Sequence, residues 1–156
     1  MMAKQSEGGI KIIATNRKAY HDYHVEDTIE AGIVLTGSEV KSIAAGKVSL
    51  TDAYCRVDDG EMWVQNMHIA PYENAGYAQH EPRRKRKLLL HKREIERLRG
   101  KAEQKGYTLI PLKLYFRNGK AKLEIGLVKG KRQYDKREAI KRKDIEREMQ
   151  RELGRG

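Results

Sequence analysis

The residues best suited to meet a ligand lie in one run, Arg83-Arg84-Lys85-Arg86-Lys87, which leads directly into Leu88-Leu89-Leu90. Five adjacent like charges repel one another unless an anion compensates them. The run either guards a solvated edge strand, where a single charge would suffice, or tracks the phosphates of a nucleic acid with salt-dependent affinity. The second reading is preferred. An exposed leucine among such residues suits an unstacked base or sugar, the mode in which RNA is commonly read.

Other candidates for chemistry are weak. His21-Asp22-Tyr23-His24 lacks a third metal ligand at a useful spacing, and on a strand the two histidines face opposite sides. His80 and His91 flank the basic run and read as RNA-facing or simply exposed. Cys55 is the only cysteine; it reads as a core residue, with no disulfide available and no visible base to activate it. Asp58, Asp59 and Glu61 read as solvated turn acids. No Walker A run and no Gly-x-Gly-x-x-Gly motif occurs. The expectation is therefore a non-enzymatic protein without metal or cofactor.

Composition agrees with an anionic partner. The chain has 156 residues and a formal net charge of +11. Residues 1–82 carry more acid than base, so the excess positive charge sits in residues 83–105 and in the segment after residue 128. Such clustering favours a nucleic acid over an anionic membrane, because neither basic block carries the Trp/Phe/Leu-rich face of an interfacial helix. No apolar run reaches the ~18–20 residues of a membrane span, and residues 1–9 lack the apolar stretch of a secretory signal. A soluble cytoplasmic monomer is expected.

The elements that must position these residues are mostly strands. Ile10–Ala14 reads as a strand and Asn16–Ala19 as a basic turn. Tyr23–Leu35 reads as a strand with a bulge or bend at Gly32. Ser38 is a candidate N-cap for a short helix through Val40 and Ile43, with Glu39, Lys41 and Ser42 facing out. Leu50–Val57 and Met62–Ile69 flank Asp59-Gly60, a hairpin signal. Glu73–Pro82 reads as a loop. Lys92–Gln104 reads as a helix with Ile95, Leu98 and Ala102 on one face. Tyr107–Arg117 and Lys120–Val128 flank Asn118-Gly119, a strong type I′ turn pair; Ala121, Leu123, Ile125 and Leu127 alternate inward, with Leu112, Leu114 and Phe116 facing the same core. The fold class expected is mainly β, a small OB-like β-barrel with short helices, with an α+β sandwich as the alternative. Residues 1–9 form a flexible N-terminus, 10–129 the barrel, and 130–156 a basic, flexible tail. Ile140, Ile145, Met149 and Leu153 give that tail a thin apolar stripe, suited to helix formation against a polyanionic partner.

Several stretches in order resemble the SsrA-binding protein family (small protein B), which partners transfer-messenger RNA in bacterial ribosome rescue. They are Asn16-Arg17-Lys18-Ala19 with His21-Asp22-Tyr23, Glu30-Ala31-Gly32-Ile33, Gly37 through Ser42, Leu50 through Tyr54, Gly60-Glu61, Asn66 through Tyr72, Arg86 through His91, Lys105 through Leu112, and Gly130 through Arg137. The resemblance implies an OB-like barrel that holds the tRNA-like domain of transfer-messenger RNA, no catalysis, and a tail that becomes helical in the ribosome and reaches the decoding centre on small-subunit ribosomal RNA. It implies RNA contacts at Asn16, Glu30 and Leu89; Lys18, Arg86 and Lys87 are added as phosphate contacts on charge grounds. It implies ribosome contacts at Tyr134, Asp135, Lys136 and Arg137. The chain departs from the family pattern at Ala44, where many members carry Arg, and in part of the 76–82 loop. A ribosomal or generic structured-RNA-binding protein is the alternative function.

Overall fold

The computed structural model describes residues 9–73, 76 and 79–131. Among the described residues, nine strands and three helices follow in the order β1 (Ile10–Thr15), α1 (Arg17–Asp22), β2 (Tyr23–Ile33), α2 (Gly37–Ala44), β3 (Val48–Ser49), β4 (Tyr54–Asp58), β5 (Glu61–Gln65), β6 (His68–Ile69), β7 (Arg86–Leu89), α3 (Lys92–Ala102), β8 (Tyr107–Arg117) and β9 (Lys120–Gly130). The architecture is mainly β with short helices. Seven strands share one sheet in the order β1-β8-β4-β5-β7-β2-β9, and β8 also pairs with β9. Hydrogen bonding therefore runs in a closed circuit, β8–β4–β5–β7–β2–β9 and back to β8. β3 and β6 form a separate two-stranded ladder.

The two tight hairpins form where the sequence signals them. Asp59-Gly60 and Asn118-Gly119 all have positive φ, as type I′ turns require. The main core lies inside the circuit and includes Ile43, Met62, Val64, Leu88, Leu114, Leu123 and Ile125. Ile95 and Leu98 of α3 close one side of it, as their spacing predicts. Cys55 also faces this core, and burial pushes its thiol pKa up, away from reactivity.

Several local expectations are corrected. The Asn16–Ala19 segment is not a turn but the start of α1, with Asn16 as N-cap. Ala19 is buried and joins Ile110, Leu112 and Val128 in a second, smaller core. Leu112 therefore does not share a face with Leu114. The register of β8 shifts between Pro111 and Lys113, where proline supplies no amide for the ladder, and the extra residue turns Leu112 to the other side. No bulge forms at Gly32; the irregularity in β2 falls between Val25 and Asp27. Gly32 pairs regularly with Lys122 and Leu89, and a Cβ there would lie 3.3 Å from Leu89 Cβ. Helix α2 is capped by Thr36 rather than Ser38, in a reciprocal capping box with Glu39. Its polar Glu39 and Ser42 are buried, while Val40 is exposed. The strand expected over Leu50–Val57 begins only at Tyr54, although Leu50 and Ala53 remain in the core. The tail stripe at Ile140, Ile145, Met149 and Leu153 lies outside the described residues.

Gly126 sits opposite the Leu112 bulge. A Cβ at Gly126 would meet Leu112 Cδ1 at 2.5 Å and Cγ at 2.9 Å, and Leu112 is fully buried with no room to retreat. Gly126→Ala should destabilise the protein by ~1–3 kcal/mol in chemical denaturation. The Gly126→Ala/Leu112→Ala double variant should cost less than the sum of the two single changes, because they share one contact. Additive losses would contradict this packing.

Candidate nucleic-acid interface

The basic run is built into the fold. Arg86, the first residue of β7, is fully buried. Its Nε donates to Glu39 Oε2 at 2.5 Å, and its terminal nitrogens donate to the carbonyls of Met67 and Pro82 at 2.8 and 3.1 Å. Arg84 grips the same carboxylate through Nε and Nη2, at 3.0 and 2.5 Å. The Thr36 amide donates to Glu39 Oε1 at 2.8 Å. With four donors the carboxylate's capacity is filled. Lys87 is ion-paired with Glu61 on the neighbouring strand. Arg83 donates to Asn66 Oδ1 at 3.0 Å, and Lys85 Nζ rests 4.5 Å from the centre of the Trp63 ring. The anions that the run requires are thus largely internal: Glu39 and Glu61. Arg86 is corrected from a phosphate contact to a structural residue, since its guanidinium is out of reach of any ligand.

Burial alone would push the Glu39 carboxyl pKa up. Hydrogen bonds from Arg84, the Thr36 amide and Arg86 outweigh that, and hold it below its ordinary value.

Asn16 is also turned inward. Its Nδ2 donates to the carbonyls of Leu50 and Pro111 at 3.1 and 3.0 Å, and its Oδ1 accepts from the Ala19 amide at 3.1 Å. Its side chain thereby starts α1 and fixes Lys18 on an exposed surface. Asn16 and Lys18 border a cleft of about 310 Å³ that Asp22, Asp52 and Tyr54 also line. His21, on the same helix, is exposed and bonds Asp22 at 2.9 Å, whereas His24 lies in β2. His80, expected at the surface, is buried, with Nδ1 2.8 Å from Ser38 Oγ and Nε2 2.9 Å from the Ile69 carbonyl oxygen.

Glu30 and Leu89 are available to a ligand. Leu89 is 53% exposed. Strand register carries it into a row across five strands: Leu89 of β7, Gly32 of β2, Lys122 of β9, Tyr115 of β8 and Ile12 of β1. Gly32 leaves the middle of this row flat. Beside the row, Glu30 Oε2 accepts from Tyr115 Oη at 2.5 Å and from Arg117 Nε at 2.9 Å. Partial burial raises the Glu30 pKa, but the Tyr115 and Arg117 hydrogen bonds outweigh it and leave it below the ordinary value. Tyr115 and Arg117 were missed by sequence reasoning. Strand alternation opposite Leu114 and Phe116 would have placed them outward; their link to Glu30 depends on register over more than eighty residues. Tyr134, Asp135, Lys136 and Arg137 lie outside the described residues.

The fold and this face define a class: a small, basic, mainly β chain that offers an outward sheet face, part apolar and part charged. Comparison with known proteins narrows the class. A family described as SmpB protein matches residues 13–155. SsrA-binding proteins of Acidothermus cellulolyticus and Persephonella marina are each 60% identical, over 96% and 90% of this chain and 94% and 93% of their own lengths. The SsrA-binding protein of Caldicellulosiruptor bescii is 56% identical over 98% of this chain and 97% of its own length. A chain in a solved structure described as "tmRNA-SmpB: a journey to the center of the bacterial ribosome" is 57% identical, with a TM-score of 0.65 over 75% of this chain and 82% of that one. The chain belongs to the SmpB, or SsrA-binding protein, family.

Removing the Glu39 carboxylate leaves two arginines without their anion. Glu39→Ala should cost about 3–5 kcal/mol in denaturant unfolding. The folded pKa lies below the unfolded one, so the stabilisation is complete above the ordinary value of 4.5 and is lost as pH falls through the folded value. The stability gap between the parent protein and Glu39→Gln should therefore narrow on acidification below about pH 4.5. A gap that is constant with pH would contradict the ion cluster.

Proposed function

We propose that this protein binds the tRNA-like domain of transfer-messenger RNA and delivers it to stalled ribosomes for trans-translation. The observation that carries this reading is membership of the SmpB family along nearly the whole chain; the printed description of the related solved structure names transfer-messenger RNA and the ribosome. The closed strand circuit supports an OB-like barrel as the RNA-binding body. On it, Glu30 and Leu89 meet the RNA, Lys18 and Lys87 contribute charge, and Asn16 acts by holding α1 in place. The protein works without catalysis, as a cytoplasmic monomer away from membranes; no described helix is long and apolar enough to cross one.

The two ends of the chain divide the labour. The barrel takes the RNA, and residues 130–156 enter the ribosome and contact small-subunit ribosomal RNA through Tyr134, Asp135, Lys136 and Arg137. A carboxylate beside RNA has a reason: Glu30 accepts hydrogen bonds, which a lysine does not. An apolar Leu89 offers packing without charge, so this face recognises structure as well as phosphate.

Competition binding at physiological salt tests this reading. The tRNA-like domain should outcompete ordinary tRNA and an unrelated hairpin of equal length; equal binding to all three would favour a generic RNA-binding protein. Strand β9 ends at Gly130, so truncation after Lys131 keeps the ladder whole. That truncated protein should retain binding to the tRNA-like domain and lose tagging on stalled ribosomes. Full tagging by the truncated protein would overturn the division of labour.

A further inference from the structure

Glu30 is held in one orientation by two partners on a neighbouring part of the sheet. Tyr115 Oη and Arg117 Nε both donate to the same oxygen, Oε2. A carboxylate oxygen has room for about two donors, so Oε2 is filled. Among the described residues, no donor reaches Oε1. The Tyr115 ring is nearly buried and lies beneath the Arg117 guanidinium, 5.9 Å from ring centre to Cζ. Burial and the adjacent carboxylate raise the Tyr115 pKa, so its hydroxyl remains a donor at neutral pH. Arg117 reaches Glu30 through Nε, its guanidinium also interacts with the Tyr115 hydroxyl, and its terminal amino groups form no ion pair among the described residues.

This arrangement limits what Glu30 can recognise. The base-pairing edge of guanine offers two adjacent N–H donors that match two carboxylate oxygens side by side. With Oε2 filled, that two-point match is closed, and one acceptor remains beside the cations of Arg117 and Lys122. A ribose 2′-hydroxyl beside its phosphate presents the complementary pair: a single O–H donor and an anion. DNA lacks the hydroxyl.

We infer that Glu30, Tyr115 and Arg117 form a reader of the RNA backbone, in which Glu30 Oε1 accepts from a ribose 2′-hydroxyl and the terminal amino groups of Arg117 donate to the adjoining phosphate. This rests on the reading that the Glu30–Leu89 face binds RNA. Tyr115 is a positioning residue: it fills Oε2 and keeps Oε1 aimed outward. A glutamine at position 30 would satisfy Tyr115 and Arg117 through its carbonyl oxygen and turn its NH₂ donor toward the RNA, where an acceptor is needed.

The test steps single 2′-deoxy substitutions through the loops of the tRNA-like domain RNA, alongside guanosine-to-inosine substitutions, which remove one base-edge donor. Binding is measured for the full-length parent protein, Glu30→Gln and Tyr115→Phe, with thermal unfolding as the check on folding. One 2′-deoxy position should weaken parent binding by about tenfold. The same substitution should cost Glu30→Gln nothing further, and Tyr115→Phe less than it costs the parent. If Glu30→Gln weakens binding but couples to an inosine substitution and to no 2′-deoxy position, the backbone reader is overturned while the proposed function stands. If Glu30→Gln binds as tightly as the parent, this face is not the RNA site and both readings fall.

Discussion

The buried carboxylate of Glu39 is the point on which the rest of this structure depends. It caps its own helix by accepting from the Thr36 amide, and it neutralises Arg84 and Arg86 across more than forty residues of chain. Arg86 opens β7, and β7 links β5 to β2. Without β7 the circuit of strands is open. The same guanidinium also ties down the carbonyls of Met67 and Pro82, so chain before and after β6 is anchored to one charge cluster. Burying charge in this way is tolerable only because every donor and acceptor is used. Among the described residues, no buried side-chain polar atom lacks a partner.

This changes the physical meaning of the basic run. Its high local charge is first a folding device, and its place beside the candidate face is a consequence. Once Arg86 is fixed, β7 alternation turns Leu88 into the core and leaves Lys87 and Leu89 outside. Gly32 then matters for its missing side chain: it lets Leu89 lie close against β2. The proposed recognition and the stability meet on one strand without sharing side chains.

Much of this was legible in the sequence. The Asp-Gly and Asn-Gly hairpins, the apolar face of α3 and the inward alternation of β9 follow from spacing alone, because turn chemistry and periodicity are local. The candidate face was legible at Glu30 and Leu89 only through resemblance to a family. What local reasoning misjudged depends on partners distant in sequence. Glu39 looks like a solvated helix residue until two arginines arrive from β7 and the loop before it. Asn16 looks like a turn residue until the carbonyls of Leu50 and Pro111 are in place. Leu112 follows the alternation of its neighbours until Pro111 breaks the ladder. The Glu30–Tyr115–Arg117 cluster needs the register of three strands, which no single stretch of sequence contains.

The central claim is that Arg86 serves the fold and not the RNA. The salt dependence of binding to the tRNA-like domain tests it most directly, because each phosphate contact adds about 0.7–0.9 to the slope of log affinity against log salt. Replacing Arg86 and Glu39 together, as Arg86→Met/Glu39→Gln, removes the buried cation without stranding its anion. If the double variant remains folded by circular dichroism, its slope should equal that of the parent, while Lys18→Ala should lower the slope by close to one contact. A folded double variant whose slope falls by a full contact would place Arg86 on the RNA and contradict the account.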